Sequence, residues 1–142
     1  MPVRATVFAN GLGGFTLDGR EYVLTLHGTE RPPAPWSNVL ANREFGCLIT
    51  EAGAGYTWAG NAQMNRLTPW SNDPVADPPG EALYIRDEET GEFWSPTPGP
   101  CGGDATTVVR HGQGYTRFTS TSHGFDQDLL VFVSATDPVK LI

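Results

Sequence analysis

Glycine and proline fall too often along this chain for a helical bundle to form. The 17 glycines and 12 prolines make up about a fifth of the 142 residues, against a usual share of roughly 12%. Inside a helix each glycine costs about 1 kcal/mol and each proline about 3 kcal/mol relative to alanine. Bundles and coiled coils are therefore excluded. The absence of a Gly-X-Y period excludes collagen. A hydrophobic share of 39% with 11% aromatic residues argues against wholesale disorder. What remains is a chain of short strands punctuated by turns, long enough for one core and one domain over residues 1–142.

The clearest local unit is Gly14–Leu26. Phe15 and Leu17 alternate before Asp18-Gly19, and Tyr22, Leu24 and Leu26 alternate after it. Asp-Gly between β-formers predicts a type I′ hairpin. Residues 27–43, with Pro32, Pro33 and Pro35, are expected to be loop. Strands are expected at 45–50 and 56–59, separated by Ala52-Gly53-Ala54-Gly55. Residues 61–81 form a second long loop under Pro69, Pro74, Pro78 and Pro79. Met64, Leu67 and Trp70 predict that it is ordered. A hairpin follows over 82–87 and 92–95, then a loop at 96–104. Strands at 105–111, 114–121 and 125–134 complete the pattern. Short strands with turn signals at ~8–12-residue spacing predict an all-β, antiparallel β-sandwich with little helix. The last residues, Asp137–Ile142, read as a turn and then a strand. An end inside an apolar run is the expectation for a piece of a longer protein.

Charge narrows the class of partner. With 9 basic and 16 acidic residues the net charge is −7, and Lys140 is the sole lysine. Such a surface releases few counterions, which argues against nucleic acid, and it disfavours anionic membranes. No apolar stretch approaches the ~20 residues that span a bilayer, and Met1–Ala5 has no apolar signal-peptide core. Cys47 and Cys101 read as two separate thiols or as one bridge, and without a CxxC they suggest no zinc site. His27, His111 and His123 lack metal-ligand spacing. Gly11-Leu12-Gly13-Gly14 fails the dinucleotide fingerprint, because Thr16 stands where its last glycine belongs. Neutral polar ligands, sugars above all, remain.

The most specific local feature is a repeated tetrapeptide, Pro35-Trp36-Ser37-Asn38 and Pro69-Trp70-Ser71-Asn72. An indole face accepts the apolar face of a pyranose, and a neighbouring amide bridges two hydroxyls. The alternative is structural: each Trp plugs an open end of the sandwich while its Asn closes an Asx turn. Asn65–Pro74 gathers Arg66, Trp70, Asn72 and Asp73 into a polar recognition loop, or ties itself down through an Arg66–Asp73 pair. Trp36, Asn38, Arg66, Trp70, Asn72 and Asp73 are thus the candidate substrate-binding residues. Asp73, Asp77 and Glu81 are carboxylates of the type a glycosidase uses. Glycosidases, however, hold their acid and base at fixed separation on rigid elements, which a proline-rich loop does not promise. No catalytic or metal-ligating residue is assigned.

The order of motifs carries a resemblance. Phe8–Phe15, Asp18–Val23, Pro35–Asn38, Ala54–Trp58, Asn65–Asp73 and Arg110–Tyr115 together resemble the N-terminal part of glycoside hydrolase family 94, formerly glycosyltransferase family 36. That family holds cellobiose, chitobiose and 1,2-β-oligoglucan phosphorylases. Trp70–Pro74 and Arg86–Glu92 are most similar to the phosphorylase-like region of cyclic β-1,2-glucan synthases. The resemblance runs from about Phe8 to Val133. It implies a galactose-mutarotase-like supersandwich followed, in the parent enzyme, by a helical linker and an (α/α)-barrel. It implies inverting phosphorolysis of a β-glucoside, with one Asp protonating the leaving oxygen and inorganic phosphate as co-substrate. The Asp and the phosphate ligands belong to the barrel, and no residue here matches them.

The expected role is then a non-catalytic β-sandwich portion of a β-glucan phosphorylase or cyclic β-1,2-glucan synthase. It would support the barrel, contribute loops to carbohydrate binding, and take part in homodimerisation or self-association. No bound cofactor is expected. The resemblance also implies a bacterial enzyme on the cytoplasmic side, with any inner-membrane anchor made by other segments. The alternatives are an autonomous carbohydrate-binding module for β-glucans and a self-contained glycosidase.

Overall fold

A computed structural model describes residues 6–142. Met1–Ala5 lie outside the described residues. Every regular element among those described is a strand. The order is β1 (Thr6–Val7), β2 (Gly13–Thr16), β3 (Glu21–His27), β4 (Ser37–Ala41), β5 (Phe45–Thr50), β6 (Gly55–Ala59), β7 (Ile85–Arg86), β8 (Phe93–Trp94), β9 (Thr106–Gly112), β10 (Tyr115–Ser122), β11 (Phe125–Val133) and β12 (Lys140–Leu141). They form a seven-stranded sheet in the order β1-β2-β3-β9-β10-β11-β12, a three-stranded sheet β4-β5-β6 and a two-stranded ribbon β7-β8. All pairings are antiparallel. The expected all-β sandwich is therefore the observed architecture.

Strand alternation builds the core. In the large sheet Tyr22, Leu24 and Leu26 stand opposite His111, Val109 and Thr107. These stand opposite Thr116, Phe118 and Ser120, which in turn face Val131, Leu129 and Gln127. Because side chains alternate with a period of two, these rows lie on one face. Tyr22, Leu24, Leu26, Val109 and Phe118 form one buried cluster, joined by Ile49 of β5. Leu40 and Cys47 of the small sheet pack with Val131 in a second. Burying a side chain such as Phe118, which is fully shielded, contributes about 2–3 kcal/mol.

Polar stitches hold the small sheet in place at both ends of β4. The Asn38 amide donates to Gly112 O, Tyr115 O and Thr116 Oγ1 at 3.0, 2.9 and 3.2 Å. The Asn42 amide donates to Ser134 O and Asp137 O at 2.9 and 2.8 Å. A third tie links Lys140 of β12 to Glu81, which also accepts from Thr57 and Thr68.

The expected 82–87 strand shortens to Ile85–Arg86, and the fold departs from expectation in three further places. Residues 27–43 are not all loop, because Ser37–Ala41 is a full strand paired with β5. Prolines 32, 33 and 35 end just before it, so their ban on regular structure does not reach it. The 16–21 turn is not type I′. Gly19 N–H donates to Thr16 O at 2.8 Å and Gly19 has φ 68°, while Asp18 is not among the positive-φ residues. Asp18 Oδ1 instead accepts from Thr16 Oγ1 and from the Arg20 N–H, at 2.6 and 3.2 Å. These bonds favour a longer loop with a single left-handed glycine. The 61–81 segment is held differently from expectation, since Met64 and Leu67 are exposed. It hangs instead on backbone bonds such as Leu67 N–H to Thr57 O, 2.8 Å, and on the stacked Trp70.

Candidate functional site

The two tetrapeptides occupy different environments. Trp36 lies just before β4 at one end of the sandwich. Its ring stacks on Tyr22 at 4.3 Å with an interplanar angle of 6°, and Phe15 meets Tyr22 edge-on at 5.0 Å. Asn38 sits inside β4 and closes no Asx turn. All three of its amide contacts are to the β9–β10 hairpin, which leaves its nitrogen no hydrogen for a ligand. For this copy the structural expectation changes in one respect: the Trp caps an end of the core as such a plug would, but the Asn bridges two sheets instead of closing an Asx turn.

A directional hydrogen-bond chain runs behind Trp36. His111 Nε2 lies 3.1 Å from Trp36 O, and Nδ1 lies 3.0 Å from Thr116 Oγ1. A carbonyl only accepts, so Nε2 carries the proton and Nδ1 accepts from the Thr116 hydroxyl. That hydroxyl in turn accepts from the Asn38 amide. Burial pushes the His111 pKa down to about 4, only partly offset by the Trp36 carbonyl. Neutral His111 is therefore part of the frame.

The second copy folds over the outer face of the small sheet. Trp70 stacks on Tyr56 at 5.0 Å and 28°, and the Arg66 guanidinium lies 5.8 Å from the Tyr56 ring centroid. Arg66 donates to Ala62 O and Trp70 O. No Arg66–Asp73 pair forms among the described residues. Asp73 is spent on an Asx turn, accepting from Val75 N–H and Ala76 N–H at 2.9 and 3.1 Å. Those backbone bonds hold its carboxyl below the ordinary value. Asn72 is exposed with φ 53°, a left-handed conformation that Asn tolerates.

One cleft joins the two copies. Pro35 and Ser37 from the first, Trp70 and Asn72 from the second, and the neighbouring Asp73 and Asp77 line a cavity of about 220 Å³. Of the candidate residues it gathers Trp70, Asn72 and Asp73. Trp36 and Asn38 face a separate groove of about 380 Å³ at the sandwich end. The six candidates therefore form no single site.

The loop carboxylates are committed to structure. Asp77 accepts from Thr50 Oγ1 at 2.8 Å, yet burial outweighs that bond and raises its pKa. Glu51, invisible as a site in the sequence, is buried and accepts from Trp36 N–H at 2.7 Å. Burial raises its pKa as well, with the neighbouring Asp77 charge adding to the effect. Burial also pushes Glu81 upward, but bonds from Lys140, Thr57 and Thr68 outweigh it and hold Glu81 below its ordinary value. Each of these three acids, like Asp73, anchors a loop or an element.

Comparison with known proteins places this geometry. Residues 20–142 match the family described as "Glycosyl hydrolase 94, supersandwich domain". The chain belongs to that family. This supersandwich domain is 41% identical over 136 residues to the cyclic beta-(1,2)-glucan synthase NdvB of Rhizobium meliloti, covering 95% of the chain and 5% of the synthase. It is 37% identical to the N,N'-diacetylchitobiose phosphorylase of Vibrio furnissii over 126 residues, 85% of the chain and 15% of that enzyme. It is 34% identical to the solabiose phosphorylase of Paenibacillus borealis over 137 residues, 92% of the chain and 17% of that enzyme. The chain thus spans a small fraction of each relative's length. The supersandwich domain contains no helix long and apolar enough to cross a membrane among its described residues.

Proposed function

We propose that this supersandwich domain is a non-catalytic part of a larger β-glucan phosphorylase or cyclic β-1,2-glucan synthase. In this reading residues 1–142 are one β-sandwich that supports an (α/α)-barrel and lends loops to carbohydrate contact and dimerisation. The proton-donating Asp and the ligands of inorganic phosphate belong to the barrel. The parent works on the bacterial cytoplasmic side, and any membrane anchor lies in its other segments. The observation that carries the reading is the commitment of Glu51, Asp73, Asp77 and Glu81 to structural bonds. An inverting mechanism needs its acid free to protonate a leaving oxygen.

A broad groove supports the packing role. Leu83, Ile85, Trp94, Phe125 and Leu129 line a cavity of about 540 Å³ beside the β7–β8 ribbon. Of these, Phe125 is 59% exposed and Leu83 41% exposed. Contiguous exposed apolar surface of this kind marks a contact face.

The second reading, an autonomous carbohydrate-binding module, draws on the two stacked indoles. Calorimetric titration with β-1,2-gluco-oligosaccharides tests the carbohydrate contact that both readings share. Millimolar binding is expected, and the absence of heat would leave only the supporting role. Sedimentation of the same samples should show self-association rising with concentration. A strictly monomeric profile would remove dimerisation from the account.

A further inference from the structure

The groove at the Trp36 end has a composition that the tetrapeptide alone does not suggest. It is lined by Phe15, Arg20, Trp36, Ser37, Val39 and Gln113, among others, and encloses about 380 Å³. That is within the usual range of small-molecule sites, roughly 300–1,000 Å³. Trp36 keeps 38% of its surface exposed. The near-parallel contact with Tyr22 fixes the ring, and Phe15 braces Tyr22 from the side. A ligand that meets this indole orders no aromatic side chain on arrival, so less binding energy is lost to entropy.

The polar rim is uncommitted. Among the described residues the side chains of Arg20, Ser37 and Gln113 make no hydrogen bond within the chain (the Arg20 bond to Asp18 comes from its backbone N–H). Together they offer a guanidinium donor, a hydroxyl and an amide that both donates and accepts. Gln113 is presented at the tip of a two-residue turn between β9 and β10, where Tyr115 pairs with Gly112 and Gly114 takes φ 92°. The one carboxylate of the lining, Glu21, is already paired, accepting from Arg110 at 3.0 Å and from Tyr115 Oη. A fixed indole beside an uncommitted guanidinium, hydroxyl and amide matches a ligand with an apolar face and a hydroxylated edge.

We propose that this groove is a pyranose subsite for neutral gluco-oligosaccharides, with Trp36 as its platform and Arg20, Ser37 and Gln113 as its polar contacts. The proposal rests on the carbohydrate-contact reading above and changes its residues. The Asn38 amide is consumed by the frame, and the Gln113 amide takes the place it was expected to fill. Trp70 is the lesser platform here, since its cleft is smaller and is lined by two carboxylates, Asp73 and Asp77, against the single paired Glu21 of the Trp36 groove.

The test is an NMR titration of the isotope-labelled 142-residue chain with sophoro-oligosaccharides. The Trp36 indole N–H and the Gln113 side-chain amide should shift together, with the Trp70 indole unmoved. The double variant Arg20→Ala/Gln113→Ala should keep the spectral dispersion of the parent chain, because neither side chain bonds within the fold. Its affinity should fall at least five-fold. Shifts centred on Trp70, or an unchanged affinity in a folded double variant, would overturn the location while leaving carbohydrate contact standing. No shift at any concentration up to tens of millimolar would overturn the subsite and the carbohydrate reading together.

Discussion

Asn38→Ala should lower folding stability by about 3 kcal/mol and Tm by roughly 10 °C. The amide has two hydrogens and three acceptors: the Gly112 and Tyr115 carbonyls and the Thr116 hydroxyl. Gly112 and Thr116 are buried. Alanine leaves no side-chain donor in reach of these acceptors. An orphaned buried acceptor costs about 1–3 kcal/mol, and here more than one is orphaned at once. The loss also frees the small sheet from the β9–β10 hairpin, and Thr116 loses the donor that orients its hydroxyl toward His111. Urea unfolding measures the effect. A change below about 0.5 kcal/mol, joined to a loss of oligosaccharide affinity, would show instead that Asn38 serves a ligand.

The second large effect is an acid window set by His111. In the unfolded chain its imidazole takes a proton near pH 6.5, whereas in the fold burial lowers the pKa to about 4. Between those values the unfolded state holds the extra proton. Falling pH therefore favours unfolding across the window. The stabilisation is complete above pH 6.5 and is lost as pH falls through about 4, with a full size of about 3 kcal/mol. Protonation at Nδ1 would place a second donor against the Thr116 hydroxyl, which could then no longer donate to the imidazole. Glu51 and Asp77 act with the opposite sign, since burial raises both pKa values. Comparison with His111→Gln cancels them. The wild-type chain should lose stability between pH 6.5 and 4 relative to that variant. A His111 ring that titrates near 6.5 by NMR would refute the window.

The hairpin at Gly14–Leu26 and the strands over 105–134 were legible because alternation and turn residues act locally. The β4 strand was not, because the Pro32–Pro35 cluster masks it and its reason for existing is the partner strand β5. The type I′ expectation at Asp18-Gly19 failed for a related reason. The Thr16 hydroxyl, two residues away, captures Asp18 and selects another turn. Identical Pro-Trp-Ser-Asn strings diverge most clearly. Asn38 is separated by 74–78 residues from the atoms that claim it, so no local rule exposes its role. Asn72, in a loop beyond the outer face of the small sheet, has no such claimants. Gln113 lay in a motif already marked by the family resemblance, yet only the three-dimensional groove brings it beside Trp36.

Support without catalysis is the centre of this account, and a phosphorolysis assay tests it most directly. The purified 142-residue chain is incubated with sophoro-oligosaccharides and inorganic phosphate, and glucose 1-phosphate is measured over time. The account predicts none above the protein-free control. Enzyme-dependent release that scales with the concentration of this chain would contradict it.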